Sequence, residues 1–227
     1  MRAVGKAQVF AIASLLLSLV VLVVCAMAVQ PLAIGDAEVG DISIVENMDL
    51  CLKRLVLSLL ASATKNGDAS ILISRLTEFQ DFVDYLAASG YEVKFVWRGG
   101  LYFSWNYSSS STSATFVFEI FGGGFRVYRV FDYILSANVI NCSWINGYFY
   151  GSIKVFVNGC EVEIEGCEVY LKFGASWTKL NSSNIALDVG LVHIVFKCSV
   201  APSELYVSLV DNNGVLVRVK CSVEIES

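Results

Sequence analysis

The stretch YEVKFVWRGGLYFSWNY, residues 91–107, decides the fold class. Tyr91, Val93, Phe95 and Trp97 alternate with Glu92, Lys94, Val96 and Arg98. A period of two sends every second side chain to one face, so this is a strand with an apolar and a polar side. Leu101, Phe103, Trp105 and Tyr107 continue the pattern after Gly99-Gly100, a pair that reads as a hairpin turn between two strands. The apolar side of that hairpin assigns Trp97 and Trp105 to the core.

Downstream, residues 108–113 form a Ser/Thr-rich run that reads as a loop, and strands are expected over 114–121 and 125–135 across Gly122-Gly123-Gly124. About six more strands are expected from Tyr148 onward, with turns at Asn158-Gly159, Glu165-Gly166 and Asp211 to Gly214. Strand and helix do not alternate after residue 90, so the sheets should be antiparallel.

Upstream, the period changes. Leu72, Leu76, Phe79, Val83 and Leu86 recur at four, three, four and three residues, one apolar stripe of a helix that Ser89-Gly90 ends. Residues 44–64 are good helix formers, with Gly67 as the stop. Such a stripe is read as packing on a sheet, because two to three heptads are too few for a coiled coil.

The N-terminus differs from all of this. From Ala7 to Gly35 there are 29 residues without a charge, more than the roughly 20 that cross a hydrocarbon core as a helix. Arg2 and Lys6 precede this run and Asp36 is the next charge, so the positive-inside bias leaves the N-terminus in the cytoplasm and exports the rest. Three fates stay open. Cleavage after the small-residue pair Ala26 and Ala28 would release a chain starting at Val29. Without cleavage the segment is an anchor. The third fate rests on Lys6-Ala7-Gln8, a basic residue, a small residue and Gln immediately before the apolar run.

That junction resembles the class III signal peptides of archaeal type IV pilins, which a prepilin-type peptidase cuts ahead of a retained apolar helix. The resemblance implies that the helix packs with copies of itself or with other surface proteins. Ile12 stands where many pilins carry Glu five residues into the mature chain. The order of apolar helix, helical stretch and β-rich domain is also similar to secreted pilin-like proteins of thermophilic archaea. Further on, Asp188-x-Gly190 before a late strand resembles the corner of immunoglobulin-like sandwiches, with Val192 where those domains often carry Tyr.

The expected fold is therefore α+β: an N-terminal transmembrane helix (1–35), a short helical segment (36–90), then an antiparallel β-sandwich of immunoglobulin-like kind (91–227), divisible into 91–145 and 146–227. Removing Arg2 and Lys6 with the leader leaves 14 of the 16 basic residues against 21 acidic ones, a net charge of −7. Nucleic acid is not an expected partner of so acidic a chain. Six of the seven cysteines, Cys51, Cys142, Cys160, Cys167, Cys198 and Cys221, lie beyond the apolar segment. An even number there suits disulfides in an oxidising compartment, and Cys51–Cys142, Cys160–Cys167 and Cys198–Cys221 is one of 15 pairings. Asn106, Asn141 and Asn181 each open an Asn-x-Ser sequon at an expected strand end or loop.

Chemistry-bearing constellations are sparse. The single histidine, His193, sits mid-strand and reads as a packing or edge residue rather than a catalytic base. Glu161, Glu163 and Glu165 alternate on one face, with Glu168 after a turn; they read as a solvated face, Glu163 opposite Lys154, rather than as a calcium or acid–base site. With no Cys-x-x-Cys, no zinc site is expected. No cofactor or enzymatic activity is expected. Trp144 and Trp177 stay open between core and a stacking platform for sugars.

The expected role is a single-pass membrane protein of the cell surface, pilin-like, with its C-terminal domain outside; the alternative is a secreted or anchored binding module, for example for glycans. N-terminal sequencing separates these fates: Gln8 marks pilin-type processing, Val29 release, Met1 a plain anchor. Lys6→Ala should block pilin-type processing yet leave insertion intact, whereas a charge placed at Leu16 should cost insertion about 2.5–3.5 kcal/mol. Normal maturation of Lys6→Ala with a product starting at Val29 would rule out the pilin-like fate.

Overall fold

The structure is a computed structural model that describes residues 38–90, 93–122 and 125–226. The proposed membrane segment, with Lys6, Ala7, Gln8, Ala26 and Ala28, lies outside these residues. Among the described residues no helix is long and apolar enough to cross a membrane. The described chain is two helices and mostly antiparallel sheet, an α+β protein.

Helix α1 (Glu38–Asn66) closes as the sequence requires. Gly67 takes φ +67°, its N–H donates to the Thr64 carbonyl, and the Asp68 N–H donates to that of Ala63. These two bonds cap the last carbonyls in the left-handed geometry that glycine adopts without penalty. Asp68 then starts α2 (Ser70–Ala88), its carboxylate accepting the Ser70 N–H at 2.9 Å. Leu72, Leu76, Phe79 and Val83 of the expected stripe are all buried.

Twelve strands follow among the described residues: β1 (Val93–Ser104), β2 (Ser109–Gly122), β3 (Phe125–Ile145), β4 (Tyr148–Val157), β5 (Cys160–Glu161), β6 (Ile164–Phe173), β7 (Ser176–Lys179), β8 (Ile185–Asp188), β9 (Leu191–Lys197), β10 (Glu204–Asp211), β11 (Leu216–Ser222) and β12 (Glu224–Glu226). One sheet has the order β1-β2-β3-β4-β9-β8, with β5 on β4 and β12 on β3. The other has the order β11-β10-β6-β7.

The chain forms two compact units, and both helices and β1, β2 and β3 contribute to each. In the first (described residues within 38–56, 77–97 and 117–129), Phe95 meets Phe79 edge-on at 4.8 Å and lies parallel to Phe118 at 6.0 Å. In the second (residues 57–76, 98–116 and 130–227), each sheet has one buried face. Phe149, Ile153, Val155, Val192 and Ile194 are buried on the larger sheet; Val169, Leu171, Leu205, Val207, Leu209, Val217 and Val219 are buried on the smaller. The β10 pattern alternates strictly, Leu205, Val207 and Leu209 inward, as period-two patterning demands.

Several expectations are corrected. Gly99-Gly100 is not a turn, because β1 runs through it. A Cβ on Gly99 would lie 2.1 Å from the Thr115 carbonyl oxygen and 2.7 Å from Phe116 Cα, so this glycine serves a close approach of two strands. Residues 109–113 are strand rather than loop, since Ser110 and Thr112 are buried and hydrogen-bonded. Glu165-Gly166 lies inside β6, with Gly166 paired to Val210. Nine strands rather than about six begin at or after Tyr148, four of them (β5, β7, β8 and β12) only two to four residues long. The sheets are not wholly antiparallel: β12 pairs parallel with β3 through Glu224↔Ser143 and Ile225↔Trp144. The β2 side of β3 is last engaged near Asn138 and Val139, so the edge beyond is open and β12 takes it. Trp97 and Trp105 are half-buried rather than core.

Two expected turns stand. Asn158 (φ +50°) and Gly159 (φ +81°) join β4 to β5 with the two positive φ values of a tight hairpin. The β10–β11 turn is built on Asp211, fully buried, whose Oδ1 accepts the N–H groups of Asn213 and Val215 at 2.9 Å each. Tyr133 OH donates to its Oδ2. Burial pushes this carboxyl above its ordinary value, against the pull of those donors. Asp188-x-Gly190 is the β8–β9 hairpin: Gly190 has φ +69°, its N–H donates to the Val162 carbonyl, and a Cβ there would lie 2.5 Å from Glu161 Cβ.

Asp211→Ala strands buried donors and should lower stability by about 1–3 kcal/mol in denaturant unfolding. Gly190→Ala should cost more than about 1 kcal/mol, from a strained φ and the Glu161 clash. An unchanged midpoint in either variant would contradict these roles.

Candidate functional site

The outward face of the smaller sheet carries a chemically equipped concavity. Strand register builds it in rows. Tyr170 of β6 pairs with Tyr206 of β10, which pairs with Lys220 of β11, and Lys179 of β7 lies on the other side of Tyr170. One row over, Glu168 pairs with Ser208 and Ser208 with Arg218. In the third row Trp177 pairs with Lys172 and Lys172 with Glu204. Because the odd-numbered residues of β10 and β11 face the core, these even-numbered ones must face solvent.

The result is an open groove of about 660 Å³ lined by Asn106, Glu168, Tyr170, Trp177, Tyr206, Ser208, Arg218 and Lys220. Three rings form its floor: Tyr206 lies 6.1 Å from Tyr170 and 6.2 Å from Trp177, tilted to both. Trp177 is 44% exposed, a large apolar surface left to solvent. Cations bracket the rings, Lys179 Nζ at 5.7 Å over Tyr170 and Lys172 Nζ at 5.7 Å over Trp177.

Each carboxylate here is held by lysine. Glu168 pairs with Lys179, and Glu204 pairs with Lys220 at 3.0 Å and Lys172 at 3.3 Å. The Lys179 ammonium holds Glu168 below the usual carboxylate value, and Lys220 does the same for Glu204, while Glu168 raises Lys179. These ion pairs fix the polar groups in direction, and three lysines with Arg218 against two glutamates leave the groove a formal excess of two positive charges. Arg218 is positioned from behind, its guanidinium 4.8 Å over the Trp105 ring, whose N–H donates to Thr112 Oγ1 at 2.9 Å. Flat rings beside directed donors and acceptors suit a ligand with apolar C–H faces and many hydroxyls.

The sequence singled out Trp177, Glu168 and Asn106 separately, and the structure brings them to one groove. It leaves Trp144 elsewhere, half-buried, with its indole N–H donating to the Cys198 carbonyl at 3.1 Å. Tyr170, Tyr206, Arg218 and Lys220 were missed. Their signal was an aromatic or cationic residue at alternating positions of three separate strands, which register alone turns into one surface.

The remaining candidates are placed as follows. His193 is exposed on β9 and sits 3.2 Å from Ser152 Oγ of β4, a cross-strand polar pair. Glu161, Glu163, Glu165 and Glu168 are all exposed, and Lys154 pairs with Leu191 and Asn138 rather than with Glu163. Among the described residues no group of three His, Cys, Asp or Glu side chains could hold a metal ion. Asn106, Asn141 and Asn181 are all exposed; Asn141 lies within β3 at a register shift rather than in a loop. Among the described cysteines none is bonded to another, and Cys142 neighbours Cys221, which is neither one's expected partner. Cys160, Cys167 and Cys198 range from exposed to half-buried, and burial pushes the Cys167 thiol up to about 12. Cys51 lies on α1.

Comparison with protein-family models, with curated proteins and with solved structures finds no match to this chain, so the groove stands on its own geometry.

Proposed function

We propose that the chain is a membrane-tethered surface protein whose β domain, an immunoglobulin-like sandwich, binds a neutral or weakly charged glycan in the Tyr170–Trp177–Tyr206 groove. The observation that carries this reading is the three-ring floor, Trp177 exposed and Tyr170 and Tyr206 half-buried, with ion-paired lysines and glutamates at its edges. A sugar ring laid on an aromatic face removes apolar area from water, and its hydroxyls meet donors and acceptors already fixed in place. The acidic chain beyond the leader disfavours a long polyanion, while the formal excess of positive charge in the groove admits a weakly acidic sugar. The apolar N-terminal segment supplies the tether.

A second reading, a pilin-like subunit, is favoured by the 29-residue α1, whose Leu52, Leu55, Val56, Leu59, Leu60 and Ala63 are buried. A long helix that follows the apolar segment and packs through its C-terminal half suits a subunit held in a filament by the segment before it. Both readings share the tether and differ in what the β domain does.

Calorimetry or affinity electrophoresis with a panel of neutral polysaccharides should find a ligand whose affinity falls tenfold or more in Trp177→Ala, about 1.4 kcal/mol or more. Asn106→Gln separates that ligand from a glycan carried by the chain itself, because it removes the sequon without removing a ring. Binding should be constant at neutral pH. It should weaken as pH falls through the depressed values of Glu168 and Glu204, below their usual 4.5, where the ion pairs are lost. Undiminished binding in Trp177→Ala would move the site elsewhere, and no binding across the panel would leave the pilin-like reading ahead.

A further inference from the structure

Cys142 and Cys221 lie on different sheets yet point at each other. On β3 and its neighbours, Cys142 aligns with Gly151, and Gly151 with Ile194, the buried row of the larger sheet. On β11, Cys221 aligns with Leu205, and Leu205 with Leu171, the buried row of the smaller sheet. Facing sheets stand about 10 Å apart on average, so a disulfide between them, whose Cα atoms lie about 4.4–6.8 Å apart, needs a place where they approach more closely. Here the sheets converge. Three residues after Cys221 the chain is already hydrogen-bonded to β3, with Glu224 beside Ser143, the residue after Cys142. Neighbouring strands are about 4.8 Å apart, so the crossover draws the two cysteines together. The Cys142 thiol lies within hydrogen-bonding reach of Cys221, which lifts Cys142 and draws Cys221 below its ordinary value.

We infer that Cys142 and Cys221 form a disulfide that locks β11 of the smaller sheet to β3 of the larger at the crossover into β12. The oxidant is a disulfide, a small molecule or a thiol–disulfide exchange protein. The Cys221 thiolate attacks one oxidant sulfur, breaks its S–S bond and releases one thiolate, leaving a mixed disulfide. Cys142 loses its proton and its sulfur attacks Cys221 Sγ, forming the internal bond and releasing the second thiolate. Two cysteine thiols are oxidised by two electrons, and one disulfide is reduced to two thiols. The bridge closes a loop that contains β4 to β11, so it acts on the unfolded chain by joining distant points.

The test is peptide mapping of the full chain, exported by a host with its own N-terminal segment, alkylated without reduction and then digested. A parallel sample is purified in detergent and exposed to a glutathione redox buffer. The expected result is a Cys142 peptide linked to a Cys221 peptide in both, released by reductant. Cys142→Ser, Cys221→Ser and the double variant should each lower Tm by roughly 5–15 °C and by similar amounts, because one bond is lost in all three. If a variant fails to fold, mapping of the unaltered chain still decides. Both cysteines alkylated in the redox-buffered sample, or either one linked to a different cysteine, would overturn the inference.

Discussion

The peptide unit of Leu216 is held from both sides by buried threonines, and the arrangement of the second unit depends on that grip. Its N–H donates to Thr64 Oγ1 of α1 at 3.2 Å. Its carbonyl accepts from Thr112 Oγ1 of β2 at 2.7 Å. The Thr64 hydroxyl donates to the Ala61 carbonyl, and Thr112 Oγ1 accepts the Trp105 indole N–H, so every group in the chain of bonds is satisfied. Both threonines are fully buried, where an unpaired hydroxyl or carbonyl would cost about 1–3 kcal/mol. A helix and one strand from each sheet therefore meet at one residue with directional bonds, which apolar packing alone does not supply.

That grip reaches the groove through register. Leu216, Arg218 and Lys220 share one face of β11, so fixing Leu216 fixes which side chains look outward. A slip of one residue would send Arg218 and Lys220 into the core and Val217 and Val219 into solvent. The same node sets Trp105, and the Trp105 ring holds the Arg218 guanidinium. At the other end of β11, the crossover into β12 brings the smaller sheet against β3. The groove is thus a rigid feature of paired strands, which lowers the ordering cost of binding.

Much of this was legible in the sequence where the signal is local. The stripe from Leu72 to Val83, the stop at Gly67, the Asn158-Gly159 turn and the strand alternation each depend on residues within one turn or one strand. Gly99-Gly100 misled because a turn glycine and a close-approach glycine look alike in sequence; the difference lies in Thr115 and Phe116, on another strand. The Ser/Thr run at 108–113 misled for a related reason. Ser110 and Thr112 are polar by composition, yet each is buried with its hydroxyl bonded to a backbone carbonyl, of Tyr107 and of Leu216. The groove needed the register of four strands, and the Cys142–Cys221 neighbourhood needed the crossover, so neither could be read from spacing.

The groove as a ligand site is the central claim, and Trp177 is its most direct reporter. The full chain carrying 5-fluorotryptophan has four tryptophans, Trp97, Trp105, Trp144 and Trp177, and fluorine NMR gives each its own resonance. On titration with a glycan the chain binds, the account predicts that the Trp177 resonance moves most, Trp105 behind Arg218 moves less, and Trp144 stays in place. A bound glycan that leaves Trp177 unmoved, or moves Trp144 instead, would contradict it.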